Sequence, residues 1–300
     1  MNSASLARLM LLAAIWGASF LFMRIAAPAL GAIPTAFGRV LLGALGLVVI
    51  VFALRVPHQY RGLFLVTLFL GVINSGIPFL MFSLAARSLP AGYSAILNAT
   101  TPLMGVLVGV LFFREPATAT KLLGVAFGLA GVWVLTRTGP LLLDQQVLLG
   151  VVACLVATSC YALAGFLTKR WISARGGLDS KLVALGSQMG AVLFLLPIFV
   201  WQMTNAEGTQ INQHIEHWQT LSLAMLALGL VCTSLAYVLY FQLIADIGPL
   251  KALSVTFLIP LFGVLWGAVF LHETLSTAHL VGGTLIALAL FLVLRPQISS

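Results

Sequence analysis

Charged side chains are scarce in this chain. Asp, Glu, Lys and Arg together make up 7% of its 300 residues, whereas a soluble domain carries about 25%. Hydrophobic residues account for 61% of the sequence, and the mean hydropathy is +1.12. So little charge cannot cover a surface that faces water. The composition therefore excludes an ordinary soluble domain and predicts an integral membrane protein.

Cysteine is also scarce, and sequence signatures of catalysis are missing. The cysteines are odd in number and lie in apolar runs, which argues against a disulfide framework and favours small packing residues: Cys154, Cys160 and Cys232. The sequence has no Gly-rich phosphate loop, no His/Cys/Asp cluster with metal-ligand spacing, and no nucleophile beside a base. We therefore expect neither an enzyme nor a bound metal or cofactor.

What the chain has instead is a series of long apolar runs. About 20 apolar residues are needed to cross roughly 30 Å of hydrocarbon as a helix. Read with that length, the sequence predicts an all-α protein with ten transmembrane helices. The expected spans are residues 6–27, 33–54, 62–86, 91–113, 119–136, 147–168, 180–201, 220–245, 250–271 and 278–294.

Positive charge is unevenly distributed between the connections. The formal net charge is +8, but the basic residues stand singly between apolar runs, which argues against nucleic-acid binding. With a cytoplasmic N-terminus, most basic residues face the cytoplasm: Arg8, Arg55, Arg61, Arg114, Lys121, Lys169, Arg170, Arg175, Lys181, Lys251 and Arg295. Only three face outward: Arg24, Arg87 and Arg137. The positive-inside rule therefore predicts that both termini are cytoplasmic.

One stretch of the sequence occurs twice. The copies are TTPLMGVLVGVLFFRE at 100–115 and LIPLFGVLWGAVFLHE at 258–273, which align without a gap at a shift of 158 residues. The matched pairs are Pro102/Pro260, Gly105/Gly263, Gly109/Gly267 and Glu115/Glu273. Earlier in the chain the shift is 145, pairing Trp16 with Tyr161, and the difference is close to the extra length of a polar loop at 202–218.

This duplication predicts a first five-helix repeat at 1–140 and a second at 141–300, within a single membrane domain. Because five is odd, the second copy enters the membrane from the opposite face. The expected architecture is thus two inverted repeats around a central cavity. Such repeats can exchange inward-open and outward-open forms around a midplane site. We predict transport by alternating access; a duplication without transport consequence and a channel-like pore are the alternatives.

Several motifs together resemble a known family. They are WGASFLFMR at 16–24, FGRVLLGAL at 37–45, LLGVAFGLAGVWVL at 122–135, and the two P-x-x-G-x-x-x-G copies that end in Glu115 and Glu273. In order and spacing the chain resembles the drug/metabolite transporter superfamily and, within it, the EamA family, with amino-acid exporters of the YddG type among the similar proteins.

The resemblance implies a ten-helix fold with a central cavity in the bacterial inner membrane. It also implies export of small metabolites, amino acids among them; another metabolite class or a drug class is the alternative. The implied partners are a small-molecule substrate and the lipid bilayer, with no nucleic acid. A monomer is expected, and a dimer is the alternative.

Polar and aromatic side chains at membrane depth are the candidate pathway residues. A polar group in the bilayer needs a partner or a water-filled cavity, and an aromatic-walled cavity suits apolar or aromatic substrates oriented by a few hydroxyls and amides. Interhelical hydrogen bonding and helix packing are the alternative roles. The expected substrate-binding residues are Trp16, Asn74, Phe79, Tyr93, Asn98, Thr101, Tyr161, Gln188, Tyr237 and Tyr240.

Arg39 is the charged residue that lies deepest inside an expected span, six residues from the nearer end of 33–54. Its long side chain either reaches the outer interface or acts as the counter-charge for a substrate carboxylate. The matching position of the second repeat is Ala184, so a site built on Arg39 would be asymmetric.

Prolines and glycines indicate helix bends and close helix contacts. Pro78, Pro102 and Pro260 are expected to kink their helices because proline removes a backbone hydrogen bond. Small residues four apart let helix backbones approach, so we expect the fourth and ninth spans to pack tightly through Gly105, Gly109, Gly263 and Gly267.

The acidic residues bear on the energy source. All seven fall at span ends or in loops, and no histidine falls in the middle of a span. Proton-driven pumps generally carry an intramembrane carboxylate or histidine. We therefore expect export that is driven by the substrate gradient or only weakly coupled to protons.

Overall fold

The computed structural model describes residues 3–116, 118–138, 144–205, 218–248, 252 and 255–294, and over these the chain is helical and contains no strand. In chain order the helices are α1 Ser3–Leu30, α2 Ala32–Ala53, α3 Phe64–Ala85, α4 Ala91–Asn98, α5 Thr101–Phe113, α6 Ala119–Thr138, α7 Gln145–Trp171, α8 Ser180–Thr204, α9 Trp218–Ile247, α10 Val255–Leu271 and α11 Thr277–Leu294.

Most of these helices are long and apolar enough to cross a membrane. Within the described ranges seven meet that requirement, namely α1, α2, α3, α6, α7, α8 and α9. The pair α4 and α5, bent by 40°, would be an eighth span if it is counted as one. Both α10 and α11 are apolar but shorter. An all-α, multi-span membrane protein is therefore confirmed, whereas the expected number of ten spans stays a prediction.

Large apolar side chains cover the outside of the helices. Leu65, Phe112 and Leu280 are exposed over 74%, 73% and 73% of their surface. Such side chains would be costly in water but suit contact with lipid tails. The largest buried cluster lies inward, where α1, α3, α4 and α7 meet, and includes Phe20, Phe82 and Leu97.

Two helices contain a π-helical segment, in which a turn holds one residue more than in an α-helix. In α3 it is Val72–Gly76, and in α9 it is Ala227–Leu235. Pro78 lies two residues after the end of the first segment and supplies no N–H to the preceding turn. In α9 two hydroxyl groups donate hydrogen bonds to backbone carbonyl oxygens five residues earlier. Thr233 Oγ1 donates to the Leu228 oxygen at 3.0 Å, and Ser234 Oγ donates to the Gly229 oxygen at 3.2 Å.

The other prolines differ in their effect on the helices. Pro102 is the second residue of α5, and the 40° bend between α4 and α5 lies just before it. Pro260 lies inside α10, which continues from Val255 to Leu271 without a break. The repeat equivalents of most α4 residues fall among 249–251 and 253–254, which lie outside the described residues.

Glycines allow several helix pairs to touch backbone to backbone. A Cβ on Gly71 of α3 would lie 2.6 Å from the Ser187 carbonyl carbon of α8, and a Cβ on Gly190 would lie 2.6 Å from the Leu68 carbonyl carbon. Between α6 and α11, a Cβ on Gly131 would lie 2.8 Å from the carbonyl oxygen of Gly282. Any larger residue at these positions would force the helices apart.

The contact expected between the fourth and ninth spans is present, although not through every glycine. A Cβ on Gly263 would overlap Ala95 of α4, and one on Gly267 would overlap the Glu273 carboxylate. Gly109 instead faces Phe166 of α7, and no described atom lies within 4 Å of a Cβ on Gly105. In this conformation the close approach of α4 and α10 is therefore provided by the glycines of the second copy.

Candidate functional site

Arg39 lies inside the helix bundle rather than at an interface. Only 5% of its surface is exposed, and its guanidinium carbon is 3.6 Å from the centroid of the Phe79 ring. Its Nε donates to Thr233 Oγ1 at 3.3 Å, and its Nη1 donates to Met23 Sδ at 3.5 Å. A side chain that reaches the outer interface would not make these contacts, so the interface role considered for Arg39 does not describe this structure.

The described residues provide no carboxylate for Arg39. Their ion pairs are Arg8 with Asp246, and Lys181 with Asp179, and all four side chains are partly exposed. The positive charge of Arg39 is instead accompanied by an aromatic face, a hydroxyl and a thioether. A thioether is only a weak acceptor. The site therefore carries one formal positive charge and no negative charge from these residues.

Close packing of α2 and α9 positions Thr233 beside Arg39. A Cβ on Gly43 would lie 2.7 Å from Thr233 Cγ2, so only glycine lets α9 approach here. Ser234 Oγ also donates to the Gly43 carbonyl oxygen at 3.0 Å. The π-helical segment of α9 thus presents two consecutive hydroxyl residues to α2.

Gln188 of α8 is fully buried and only half satisfied. Its Nε2 donates to Ser75 Oγ at 2.9 Å, and Ser75 Oγ lies 3.3 Å from Ser187 Oγ. Its Oε1 has no hydrogen-bond partner among the described residues. That oxygen and Thr233 both face Gly43, because a Cβ there would lie 3.5 Å from Gln188 Oε1 and 2.7 Å from Thr233 Cγ2. We call Arg39, Ser75, Phe79, Gln188 and Thr233 the central site.

Two tyrosines border the central site. Tyr161 of α7 and Tyr237 of α9 lie close enough to Arg39 to interact with its charge. The Tyr237 side chain also lies near those of Asn74 and Gln188, and the Tyr161 ring is 6.1 Å from that of Phe82. The structure therefore brings six residues singled out from the sequence into one region: Arg39, Asn74, Phe79, Tyr161, Gln188 and Tyr237.

The remaining candidates lie elsewhere. Trp16 and Tyr240 pair with each other, with ring centroids 5.3 Å apart, about 10 Å along α1 from Met23. The Tyr93 ring meets the edge of His279 at 4.7 Å. At the α4–α5 bend, Thr101 Oγ1 donates to the Asn98 carbonyl oxygen at 2.7 Å. These residues line the same helix bundle but do not contact the central site.

The expected substrate-binding residues did not include four residues of this region: Met23, Ser75, Ser187 and Thr233. Met23 lies seven residues after Trp16 and therefore on the same helix face, so the spacing was available as a signal. Ser187 directly precedes Gln188 and touches Gly71, a contact that only the packing of α3 on α8 creates.

A second polar contact joins the two halves of the chain near the end of α10. The Glu273 carboxylate accepts hydrogen bonds from the backbone N–H groups of Ala91 and Gly92, at 2.7 and 3.1 Å. These amides belong to the first turn of α4, where backbone N–H groups have no partner within the helix. Glu273 therefore caps the N-terminus of α4, which the residue before that helix, Pro90, does not do with its side chain.

Two cavities open away from the central site. One of about 430 Å³ lies between the α2–α3 and α7–α8 connections and is lined by residues that include Arg61 and Asp179. The other, of about 350 Å³, is largely apolar and lies between α5 and α7, beside Phe112 and Val156. Neither contains a residue that we expected to bind substrate.

Comparisons with known proteins agree with this architecture. The profile of the EamA-like transporter family matches residues 5–137 and 148–295. Protein PecM of Dickeya dadantii is 30% identical over 227 residues, covering 75% of this chain and 71% of PecM. An uncharacterized transporter of Bacillus subtilis, YvbV, is 29% identical over 85% of this chain and 80% of its own length.

A further relative is called a probable amino-acid metabolite efflux pump in Salmonella typhimurium, and it is 25% identical over 94% of this chain and 92% of its own length. One solved crystal structure shares the fold, with a TM-score of 0.62 over 98% of this chain and 97% of that chain, at 17% identity. The family consists of transporters rather than enzymes. This multi-span membrane protein therefore belongs to the EamA-like transporter family.

Proposed function

We propose that this protein is a ten-span exporter of the bacterial inner membrane. It moves small metabolites, amino acids among them, by alternating access between inverted repeats at 1–140 and 141–300, with both termini cytoplasmic. The observation that carries the proposal is that contacts between the two halves occur in reciprocal pairs, related by the shifts found in the sequence. The following contacts support it.

The contact of α3 with α8 is repeated by α9 with α2. Gly71 packs against Ser187, and Gly229 packs against Leu42. A shift of 158 converts Gly71 to Gly229, and a shift of 145 converts Leu42 to Ser187. The π-helical segments of α3 and α9 lie in these same helices. Reciprocal contacts of this kind are what a pseudo-two-fold axis in the membrane plane requires.

The contact between α6 and α11 repeats in the same way. A Cβ on Gly282 would lie 2.9 Å from the Gly131 carbonyl oxygen, and one on Gly124 would lie 2.9 Å from that of Ala289. A shift of 158 converts the second contact into the first. The reciprocity extends to α11, which supports its inclusion as a span despite its shorter length.

The two copies of the repeated motif also end alike. Arg114 and His272 have φ angles of 55° and 54°. The next residue donates its backbone N–H six residues back in both copies, from Glu115 to Gly109 at 3.0 Å and from Glu273 to Gly267 at 3.1 Å. The 17 residues of α10 correspond to about 26 Å of helix, close to the roughly 30 Å of the hydrocarbon core.

The substrate class follows from the relatives and from the composition of the central site. The Salmonella relative is called a probable amino-acid metabolite efflux pump. The central site offers polar groups beside aromatic rings, which suits a small solute with a polar end and an apolar end. Because its described residues include no acid and no histidine, the substrate gradient is the proposed energy source, with at most weak proton coupling.

Counterflow in proteoliposomes tests the proposal. Vesicles containing the purified protein and preloaded with unlabelled L-phenylalanine should accumulate external radiolabelled L-phenylalanine faster than vesicles loaded with buffer. A carrier that alternates exchanges internal unlabelled substrate for external labelled substrate, so internal substrate accelerates the uptake of label. Protein-free vesicles are the control. Equal rates with and without internal substrate would indicate a pore, and no flux for any amino acid in a panel would refute amino-acid export. Concentrative uptake into inside-out vesicles driven by a pH gradient alone would contradict the proposed energy source.

A further inference from the structure

We propose that Arg39 binds the carboxylate of the substrate and that Gln188 accepts a hydrogen bond from the ammonium group beside that carboxylate. The substrate class is thereby narrowed to α-amino acids with a free carboxylate. This inference rests on the proposed function, because it assigns the chemistry of the same central site.

The first step is the charge balance around Arg39. A buried cation is strongly disfavoured unless an anion or several hydrogen-bond acceptors compensate it. Phe79 offers the face of a ring, and Thr233 offers one hydroxyl oxygen. No carboxylate among the described residues pairs with Arg39. A ligand carboxylate beside the guanidinium would supply the anion that the described residues do not provide.

The second step is the number of unused donors. A guanidinium has five N–H donors in a planar arrangement that matches a carboxylate bidentately. Two of those donors meet an acceptor among the described residues, Thr233 Oγ1 and Met23 Sδ, and the sulfur is weak. The contact with Phe79, whose ring centroid is 3.6 Å from the guanidinium carbon, holds the guanidinium against the ring face. Arg39 is therefore oriented, and donors remain available for a carboxylate.

The third step concerns the unpartnered oxygen of Gln188. A buried acceptor without a donor is costly, and the Nε2 of the same amide is already fixed by Ser75 at 2.9 Å. The free Oε1 and Thr233 face the same glycine, Gly43, and Thr233 is the residue that accepts from Arg39 Nε. A hydrogen-bond donor on the ligand, close to its carboxylate, would satisfy this oxygen. The ammonium group of an α-amino acid has that relation to its carboxylate.

Binding measurements on the purified protein in detergent test this assignment. The probes are L-phenylalanine, L-phenylalaninamide, which lacks the carboxylate charge, and 3-phenylpropionate, which lacks the ammonium group. Titration calorimetry would give their affinities for wild type, Arg39→Gln, Arg39→Lys and Gln188→Met. Arg24→Gln is the matched control, because Arg24 donates to the backbone carbonyls of Ala86 and Arg87 and lies outside the central site.

We expect wild type to bind L-phenylalanine at least tenfold more tightly than its amide, since hydrogen bonds to charged groups contribute most. Arg39→Gln should lower the affinity for L-phenylalanine at least tenfold and change the affinity for the amide less than twofold. The affinity of Arg39→Lys for L-phenylalanine should lie between those of wild type and Arg39→Gln. Gln188→Met should lower the affinity for L-phenylalanine more than the affinity for 3-phenylpropionate. Arg24→Gln should match wild type for all three probes.

Several results would overturn the inference. They are equal weakening of L-phenylalanine and its amide by Arg39→Gln, equal wild-type affinity for the acid and the amide, or no binding of any probe by wild type. Binding and counterflow separate the two claims. Carboxylate-selective binding without counterflow would refute the proposed export and keep the Arg39 assignment, whereas counterflow that persists unchanged in Arg39→Gln would do the reverse.

Discussion

The Glu273 carboxylate lies 2.7 Å from the backbone nitrogen of Ala91 and accepts its hydrogen bond. The two residues are 182 positions apart in the chain, and a second bond to Gly92 at 3.1 Å makes the contact bidentate. A negative charge at a helix N-terminus is favourable, because the unpaired amides there carry partial positive charge. Glu273 therefore links the end of the second motif copy to the start of α4.

Glu273→Gln tests the strength of this link. A neutral amide has one oxygen acceptor and no charge, so we expect about 1 kcal/mol of stability to be lost. Thermal unfolding in detergent would show a lower Tm. Asp246→Asn is the control, because its pair with Arg8 is partly exposed and such pairs contribute little. A larger decrease in Tm for Asp246→Asn would contradict the importance of the Glu273 contact.

Gln188→Glu should affect stability and binding in opposite directions. We expect a carboxylate at this position, which faces Gly43 as Thr233 does, to pair with the buried Arg39. We expect Tm to rise by about 3 °C, corresponding to about 1 kcal/mol. Because the new carboxylate would occupy the guanidinium, L-phenylalanine affinity should fall at least tenfold.

Gln202→Glu provides the comparison for that substitution. The Gln202 side chain also has a buried Oε1 without a partner among the described residues, but its Nε2 lies near Gly31, at the start of α2. We expect the Tm of Gln202→Glu to equal that of wild type or to be lower, because a buried charge without a partner is unfavourable. An equal rise in Tm for both variants would mean that Arg39 is not the reason for the effect.

Gly71→Ala should disrupt the contact of α3 with α8. The added methyl group would meet the backbone of Ser187 rather than a flexible side chain, so the helices themselves must move. We expect a cost of at least about 3 kcal/mol, seen as loss of monodisperse protein in size-exclusion chromatography. Gly165→Ala, where no described atom lies within 4 Å of the new carbon, should behave as wild type. Normal behaviour of Gly71→Ala would show that this contact is looser than the structure has it.

Labelling of single cysteines tests the inverted arrangement. Pro116 and Thr274 are equivalent at the shift of 158, and both are exposed. In a background with Cys154, Cys160 and Cys232 replaced, a membrane-impermeant maleimide should label Thr274→Cys in intact spheroplasts. It should label Pro116→Cys only after permeabilisation. Labelling of both positions from the same side would refute the inverted repeat.

Much of the central site was accessible from the sequence, because the bilayer restricts polar residues so strongly. Arg39, Asn74 and Gln188 were conspicuous since each places a polar group where no water is available. The sequence could not distinguish an arginine that reaches the interface from one held over an aromatic ring. That outcome depends on Phe79, which a different helix brings to within 3.6 Å of the guanidinium.

The role of Glu273 was not predictable for a related reason. Its position at a span end was evident, but its acceptor role depends on how α4 and α10 cross. Gly105 shows the limit of motif reasoning: it matches Gly263 in sequence, yet only Gly263 touches a neighbouring helix among the described residues. Equivalent positions in a repeated sequence therefore need not make equivalent contacts.

We expect the wide turns of α3 and α9 to give these helices an adjustable register. A π-helical turn contains one surplus residue, and displacing it along the helix exchanges hydrogen bonds singly instead of melting a whole turn. Each residue that the surplus passes is rotated by about 100° around the helix axis. Ser75 and Thr233 lie within the two π-helical segments. Their hydroxyl groups could therefore swing toward the bundle axis or away from it while both ends of each helix stay anchored.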